Sequence, residues 1–302
     1  MSEDGRYLAI VNPAAGGGRS RKMLGPALER LRAGGVAIEV KETRGAGEAT
    51  QIAREAYRQG FRKFIAVGGD GTSYEVVNGL FPQASAEARP SLGFLPLGTG
   101  NSFLRDFSDR GVEHAIDSLI SNRTQACDVL RLRHRGGVVH YINLLSVGFP
   151  ADVATLRARR FSGHGELGYV ISIFLGLVRL ERRPFPVRVD GETEFDRRRC
   201  LFLTFNNSKF TGGTMMIAPK AETNSGLIEY VRWGAIGRLG LMRNLPGLYD
   251  GTHIHHPLAE RKAVRKVEFD LNAPVDVMVD GEVLTLQCEA LDVLPGALHI
   301  VA

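Results

Sequence analysis

Two kinds of residue in this 302-residue chain suit chemistry on a phosphate: glycine-rich turns, and carboxylates set close to them. Val67-Gly68-Gly69-Asp70-Gly71-Thr72 stands between an apolar run, Phe64-Ile65-Ala66-Val67, and a helical pattern over residues 74–80. A strand, a glycine turn and a helix in that order aim backbone N–H groups and a helix N-terminus at an anion. Asp70 would repel a bare phosphate and makes sense mainly with a cation or water between, so the expected ligand is a Mg-nucleotide, with Asp70 reaching the Mg2+ indirectly. Alone, Gly-Asp-Gly serves equally well as a tight turn. Phosphoryl transfer to a hydroxyl also calls for a group that takes the proton, and the tetrapeptide Val-Asp-Gly-Glu occurs twice, at 189–192 and 279–282. Both copies are good Asp-Gly hairpin turns, and local physics does not choose between them.

The elements that must position these residues repeat one theme. Tyr7-Leu8-Ala9-Ile10-Val11 reads as a buried strand, followed by the loop Asn12-Pro13-Ala14-Ala15-Gly16-Gly17-Gly18 and an amphipathic helix over 21–31. Val36-Ala37-Ile38-Glu39-Val40 is a second strand, Thr43 opens its loop, and a helix covers 48–57. The strand at 61–67 leads into the Asp70 turn, and Ser91 to Leu97 leads into Gly98-Thr99-Gly100-Asn101. Strands alternating with helices across short loops imply a parallel sheet with right-handed crossovers, whose ligand loops gather on one edge. Asn12, Thr43, the turn from Gly69 to Thr72 and the turn Thr99-Gly100-Asn101 all follow strands, so all are expected on that edge. The second half carries strand-like runs at 138–146, 187–189, 200–205, 226–231, 275–279 and 291–294 with few helices between them, which predicts an all-β domain.

Composition narrows the class. At 44% hydrophobic and 24% charged, the chain is globular and long enough for one large domain or two ordinary ones. A net charge of +5 suits a nucleotide or an acidic membrane face and is too weak to argue for nucleic acid. The acidic start, Met1-Ser2-Glu3-Asp4, and the lack of any long apolar run predict no signal peptide and no membrane span. Cys127, Cys200 and Cys288 are far apart and in no CxxC pair, so a reducing, cytoplasmic compartment is expected. No GxxxxGK[ST] run exists, which excludes a P-loop. The GxGxxG match at 163–168 follows the basic segment Arg157-Ala158-Arg159-Arg160 instead of a strand and reads as chance.

VNPAAGGG, AVGGDGTSYEVVNG and PLGTGN, in this order and at these separations, resemble the diacylglycerol kinase catalytic-domain family of bacterial diacylglycerol, sphingosine and ceramide kinases. Cys127-Asp128-Val129, Ile217-Ala218-Pro219, the loop at 251–257 and Val279-Asp280-Gly281-Glu282 extend the resemblance over essentially the whole chain. It implies an α/β nucleotide-binding domain over 1–128, rejoined by residues from about 292 to 302, and a β-sandwich for the lipid substrate over 129–291. It further implies that Asn12, Pro13, Gly16, Thr43, Gly69, Asp70, Gly71, Thr72, Glu75, Thr99, Gly100 and Asn101 line an ATP site. The second Val-Asp-Gly-Glu falls where the family carries its catalytic carboxylate, so Glu282 is the implied general base, with Asp128 as its partner and Asp70 at the metal.

Two positions depart from the family pattern. A pair of acidic residues before Gly-Leu usually holds a structural Mg2+; here Asn224 and Ser225 stand there, so this accessory site is expected to be absent or weak. Ser102 replaces an aspartate common in the bacterial enzymes, a hint of an acceptor other than diacylglycerol. The apolar segment 169–180, flanked by Arg157, Arg159 and Arg160 and by Arg179, Arg182 and Arg183, reads either as a core helix with solvated arginine ends or as a docking element for anionic headgroups. His253, His255 and His256 lack a carboxylate or cysteine to complete a metal site and read as a capped or solvated loop. The expectation is an ATP- and Mg2+-dependent lipid kinase that works transiently at the inner membrane face, with a homodimer left open. An NAD kinase-like enzyme with a soluble substrate, and a nucleotide- or lipid-binding regulator without turnover, are the alternatives.

Overall fold

The computed structural model describes residues 5–85, 87–98, 100–161 and 165–302, with side chains except at 19 and 165–170. The chain divides into two compact units, one of residues 1–129 and 294–302 and one of residues 130–293.

The first unit is an α/β layer structure. Its strands are β1 (Tyr7–Val11), β2 (Ile38–Glu42), β3 (Lys63–Gly68) and β4 (Ser91–Pro96), joined by α1 (Arg19–Ala33), α2 (Glu48–Arg58) and α3 (Asp70–Leu80), with α4 (Val112–Ser121) after β4. All four strands run parallel in the order β2-β1-β3-β4, and residues His299, Ile300 and Val301 add a fifth parallel strand beside β4. β1 is buried at every position, as a strand covered on both faces must be. Helix α2 buries Ala49, Ala53, Ala56 and Tyr57, the spacing of one helical face. The core joins Tyr7, Val11, Leu31, Ile65, Leu95 and Leu119. The second strand starts two residues later than the sequence pattern predicts, and α3 starts at Asp70, so the glycine turn is itself the first turn of the helix.

The second unit is a β-sandwich. The chain enters along β5 (Thr124–His134), which pairs with β6 (Gly137–Tyr141) from Leu130 onward. One sheet has the order β14-β13-β10-β7-β16-β17, built from β7 (Leu144–Gly148), β10 (Arg199–Asn206), β13 (Ile228–Gly234), β14 (Ala259–Val264), β16 (Val275–Val279) and β17 (Glu282–Leu286), with β8 (Arg183–Pro184) paired to β10. The other places β15 (Lys266–Phe269) between β9 (Val187–Val189) and residues Ala290, Leu291 and Asp292 of the last strand, β18 (Cys288–Val301). β11 (Phe210–Thr211) and β12 (Met215–Met216) form a small ribbon. Among the described residues the sandwich also carries four α-helices: α5 (Phe149–Arg160), α6 (Gly165–Val178), α7 (Arg238–Asn244) and α8 (Gly247–Asp250). Of these, the sequence pattern offers only α6, as the apolar segment 169–180; α5, α7 and α8 lie between the strand-like runs without a signal of their own. Leu177, Leu180 and Leu241 tie the helices to a core that includes Phe149, Phe202 and Trp233. Among the described residues no helix is long and apolar enough to cross a membrane.

Candidate active site

Backbone hydrogen bonds stitch four turns together at the C-terminal edge of the parallel sheet. Thr43 donates its N–H to the Val11 carbonyl at 2.8 Å, and Asn12 donates to Val67 at 2.9 Å. Gly98 donates to Gly68 at 2.8 Å, and Asp70 to Gly100 at 2.9 Å. The loops after β2, β1, β3 and β4 are therefore neighbours, in that order, as their placement after strands predicts. Glycine is required where the last two meet. A Cβ on Gly98 would lie 2.6 Å from the Gly69 Cα, and one on Gly69 would lie 2.8 Å from the Gly100 carbonyl oxygen, so only bare backbone permits this approach.

Each turn has its own local support. Asn12 accepts the Ala14 N–H on Oδ1 at 3.0 Å, an Asx turn that fixes Pro13. Gly16, Gly17 and Gly18 then follow with φ of 62°, 64° and 88°, a left-handed run directly before α1 where the sequence indicates only a loop. Thr43 is buried, with its hydroxyl donating to Val11 at 3.3 Å. Asn101 donates its side-chain amide to the Gly98 carbonyl at 3.0 Å and closes the fourth turn. Thr99 lies outside the described residues, as do Gly163 and His164 of the GxGxxG match.

Asp70 and Glu75 hold this edge in place from α3. Both Asp70 oxygens accept the Ser102 N–H at 3.1 Å, and the Ser102 hydroxyl and the Phe103 N–H add to the contact. Burial pushes the Asp70 carboxyl above the usual carboxylate range against the downward pull of these bonds. Ser102 thus donates where an aspartate would set like charge against Asp70. Glu75 accepts the N–H groups of Gly47 at 2.8 Å and Ala49 at 3.0 Å, capping α2 and fixing the loop that starts at Thr43. These partners were not legible in the sequence, since each lies about thirty residues away along the chain. Asp128 is buried in the same unit and accepts the Gly296 N–H on Oδ1 at 2.7 Å, which ties β5 to β18.

Glu282 belongs to the second unit. Asp280 and Gly281 take φ of 48° and 89°, a two-residue turn between β16 and β17, with Glu282 exposed opposite Val279. The Asp280 carboxylate, 3% exposed, accepts the N–H groups of Ile142, Asn143 and Leu144 at 3.0, 3.0 and 2.9 Å. This anchor fixes where Glu282 leaves the turn, and Asp280 was passed over as a turn residue in the sequence.

The donor sets differ in their fit to metals. A single carboxylate at the glycine turn suits Mg2+ carried mainly by nucleotide phosphates, the usual way this ion is bound beside ATP. The accessory loop does not fit a cation. Ser225 folds back on Glu222, its hydroxyl donating to the Glu222 carbonyl at 3.2 Å. The Glu229 carboxylate at its end, 4% exposed, is gripped by the Arg261 guanidinium at 2.6 and 2.8 Å. Arg261 thus supplies the positive charge from within the chain. Among the described residues no three His, Cys, Asp or Glu side chains gather as a metal site. His253 is buried with its ring nitrogens 3.1 Å from the Gly247 and Ile217 carbonyls, so it is a core residue and not part of a solvated loop.

Residues 6–132 match the diacylglycerol kinase catalytic domain, and residues 143–302 match the YegS C-terminal NAD kinase beta sandwich-like domain. A protein of Mycobacterium tuberculosis (strain CDC 1551 / Oshkosh) named "Diacylglycerol kinase" is 28% identical over 302 residues, covering 99% of this chain and 95% of its own. A Salmonella arizonae protein named "Probable lipid kinase YegS" is 29% identical over 300 residues, covering 97% and 94%. A crystal structure of a diacylglycerol kinase from Bacillus anthracis str. Sterne shares the fold at a TM-score of 0.71 and 20% identity, covering 100% of this chain and 98% of that one. Taken with the stitched glycine turns and the sandwich that follows them, these matches mean that the chain belongs to the diacylglycerol kinase catalytic-domain family, a family of lipid kinases.

Proposed function

We propose that the chain transfers the γ-phosphoryl group of Mg-ATP to a lipid hydroxyl at a membrane surface. The observation that carries this reading is the set of four turns bonded to one another at the edge of the parallel sheet, led by the N-terminus of α3. Bound Mg-ATP supplies the transferable phosphoryl group and a cation that offsets its charge. Asn12, Pro13, Gly16, Thr43, Gly69, Gly71, Thr72, Gly100 and Asn101 are the proposed cradle, with Thr99 included on sequence alone. Asp70 is assigned to the metal through water, and Glu75 to the shape of the Thr43 loop through its grip on α2. In this reading Glu282 takes the proton from the acceptor hydroxyl, and Asp128 is a supporting carboxylate. A positioned base of this kind contributes about 10²–10⁴-fold.

The test offers γ-labelled ATP and Mg2+ to the full chain with diacylglycerol, monoacylglycerol, ceramide, sphingosine or phosphatidylglycerol in mixed micelles, and with NAD in solution. Label is expected in one or more lipids. Transfer to NAD alone would replace the acceptor class, and ATP binding with no labelled product would make the chain a regulator.

A further inference from the structure

Helices α6 and α7 are fastened end to end. Arg238, the first residue of α7, donates Nε to the Leu177 carbonyl at 3.1 Å and Nη2 to the Val178 carbonyl at 2.8 Å, satisfying the last turn of α6. Beneath the junction, Leu177, Leu180 and Leu241 are buried in the sandwich core, so both helices are held firmly. Their outer sides carry large apolar groups. Phe174 and Val178, one turn apart on α6, are 64% and 54% exposed; Leu239 and Met242, one turn apart on α7, are 83% and 55% exposed. Grouped exposure of this kind marks a surface that meets something apolar.

Charge selects what that is. Arg179, Arg182 and Arg243 are exposed, Arg179 directly after Val178 and Arg243 directly after Met242 in the chain, while Glu181 is the one acidic residue in 174–182 and 238–244. Exposed apolar groups with exposed arginines beside them in the chain fit an interface whose headgroups are negative and whose interior is hydrocarbon. We infer that Phe174, Val178, Leu239 and Met242 form a two-helix foot that inserts into the surface of an anionic phospholipid bilayer, with Arg179, Arg182 and Arg243 on the headgroups. This rests on the lipid-kinase reading for its purpose, and it adds α7, which the apolar segment in the sequence did not include.

The test is sedimentation of the full chain, without ATP, with vesicles of mixed phosphatidylglycerol and phosphatidylcholine and with vesicles of phosphatidylcholine alone. The parent is expected to partition at least tenfold better onto the anionic vesicles. Leu239→Glu combined with Met242→Glu should lower that partition at least tenfold, with an unchanged melting temperature. Val138→Glu, at an exposed apolar site on β6, should leave it unaltered. Undiminished binding by the double variant would overturn the inference, as would equal binding of the parent to both vesicle types. A concentration-dependent dimer in sedimentation velocity that the double variant abolishes would also overturn it, by assigning the surface to a second copy. Because vesicle binding is read without turnover, failure of the foot and failure of the kinase reading separate: a chain that docks through Leu239 yet labels no lipid refutes only the latter.

Discussion

The same tetrapeptide, Val-Asp-Gly-Glu, ends two strands of the second unit, and the two copies have nearly the same backbone. Asp190 and Gly191 take φ of 45° and 76°; Asp280 and Gly281 take 48° and 89°. In both, the aspartate reaches across to backbone N–H groups of a neighbouring segment: Asp190 to Arg265 and Lys266 at 2.8 and 2.9 Å, Asp280 to three residues ahead of and within β7. The difference lies in the surroundings. Asp190 is exposed after a three-residue strand, and its glutamate, Glu192, is paired with Lys262 at 2.9 Å. Asp280 is buried, and its turn joins two five-residue strands in the sheet that β7 and β10 centre. A turn motif thus states a shape; the sheet around it decides how rigidly the shape is held.

The contrast can be broken in stages. Asp280→Ala leaves three buried N–H groups without their acceptor and should cost about 3–5 kcal/mol in urea unfolding. A loss as small as that at Asp190 would erase the distinction. The segment that Asp280 grips follows buried His140, whose imidazole is pushed down to about 4, chiefly by burial and then by Arg131. Because the folded state binds this proton more weakly than the unfolded chain, its contribution is fully present above pH about 6.5 and is lost as pH falls from there toward 4. That loss should reach about 2–3 kcal/mol, and His140→Asn should flatten the parent's stability profile by that amount over this window. Asp190→Ala, at the exposed turn, should cost under about 1 kcal/mol. Smallest of all, EDTA or Mg2+ should move the melting temperature of the nucleotide-free chain by no more than about 1 °C, since a site without bound ligand gains no stability by mass action. A clear Mg2+-dependent rise would restore a structural cation to the Glu229 loop.

What could be read from sequence was local. Gly68-Gly69-Asp70-Gly71-Thr72 and Gly98-Thr99-Gly100-Asn101 announce turns because glycine and asparagine are chosen by backbone conformation within a few residues. Alternating strands and helices then bring those turns to one edge. The parts that escaped are non-local: Ser102 and Phe103 on Asp70, Glu75 on the start of α2, Arg261 on Glu229 and Arg238 on the end of α6. In each a charged side chain satisfies groups brought near by the fold, and nothing in the spacing of the chain records that meeting. Of the sandwich helices only α6 was legible, through the apolar segment 169–180; α5, α7 and α8 escaped because they are short and carry few apolar residues to bury, Leu241 alone in α7 and Leu248 alone in α8.

The central claim is that only the second of the two matched turns delivers a base. It is tested most directly by the turnover of Glu282→Gln beside Glu192→Gln, with ATP affinity measured by titration on the same preparations. The account predicts a turnover about 10²–10⁴-fold lower for Glu282→Gln with ATP affinity kept, and Glu192→Gln within about twofold of the parent. Parent-like turnover by Glu282→Gln, or an equal loss in both variants, would contradict it.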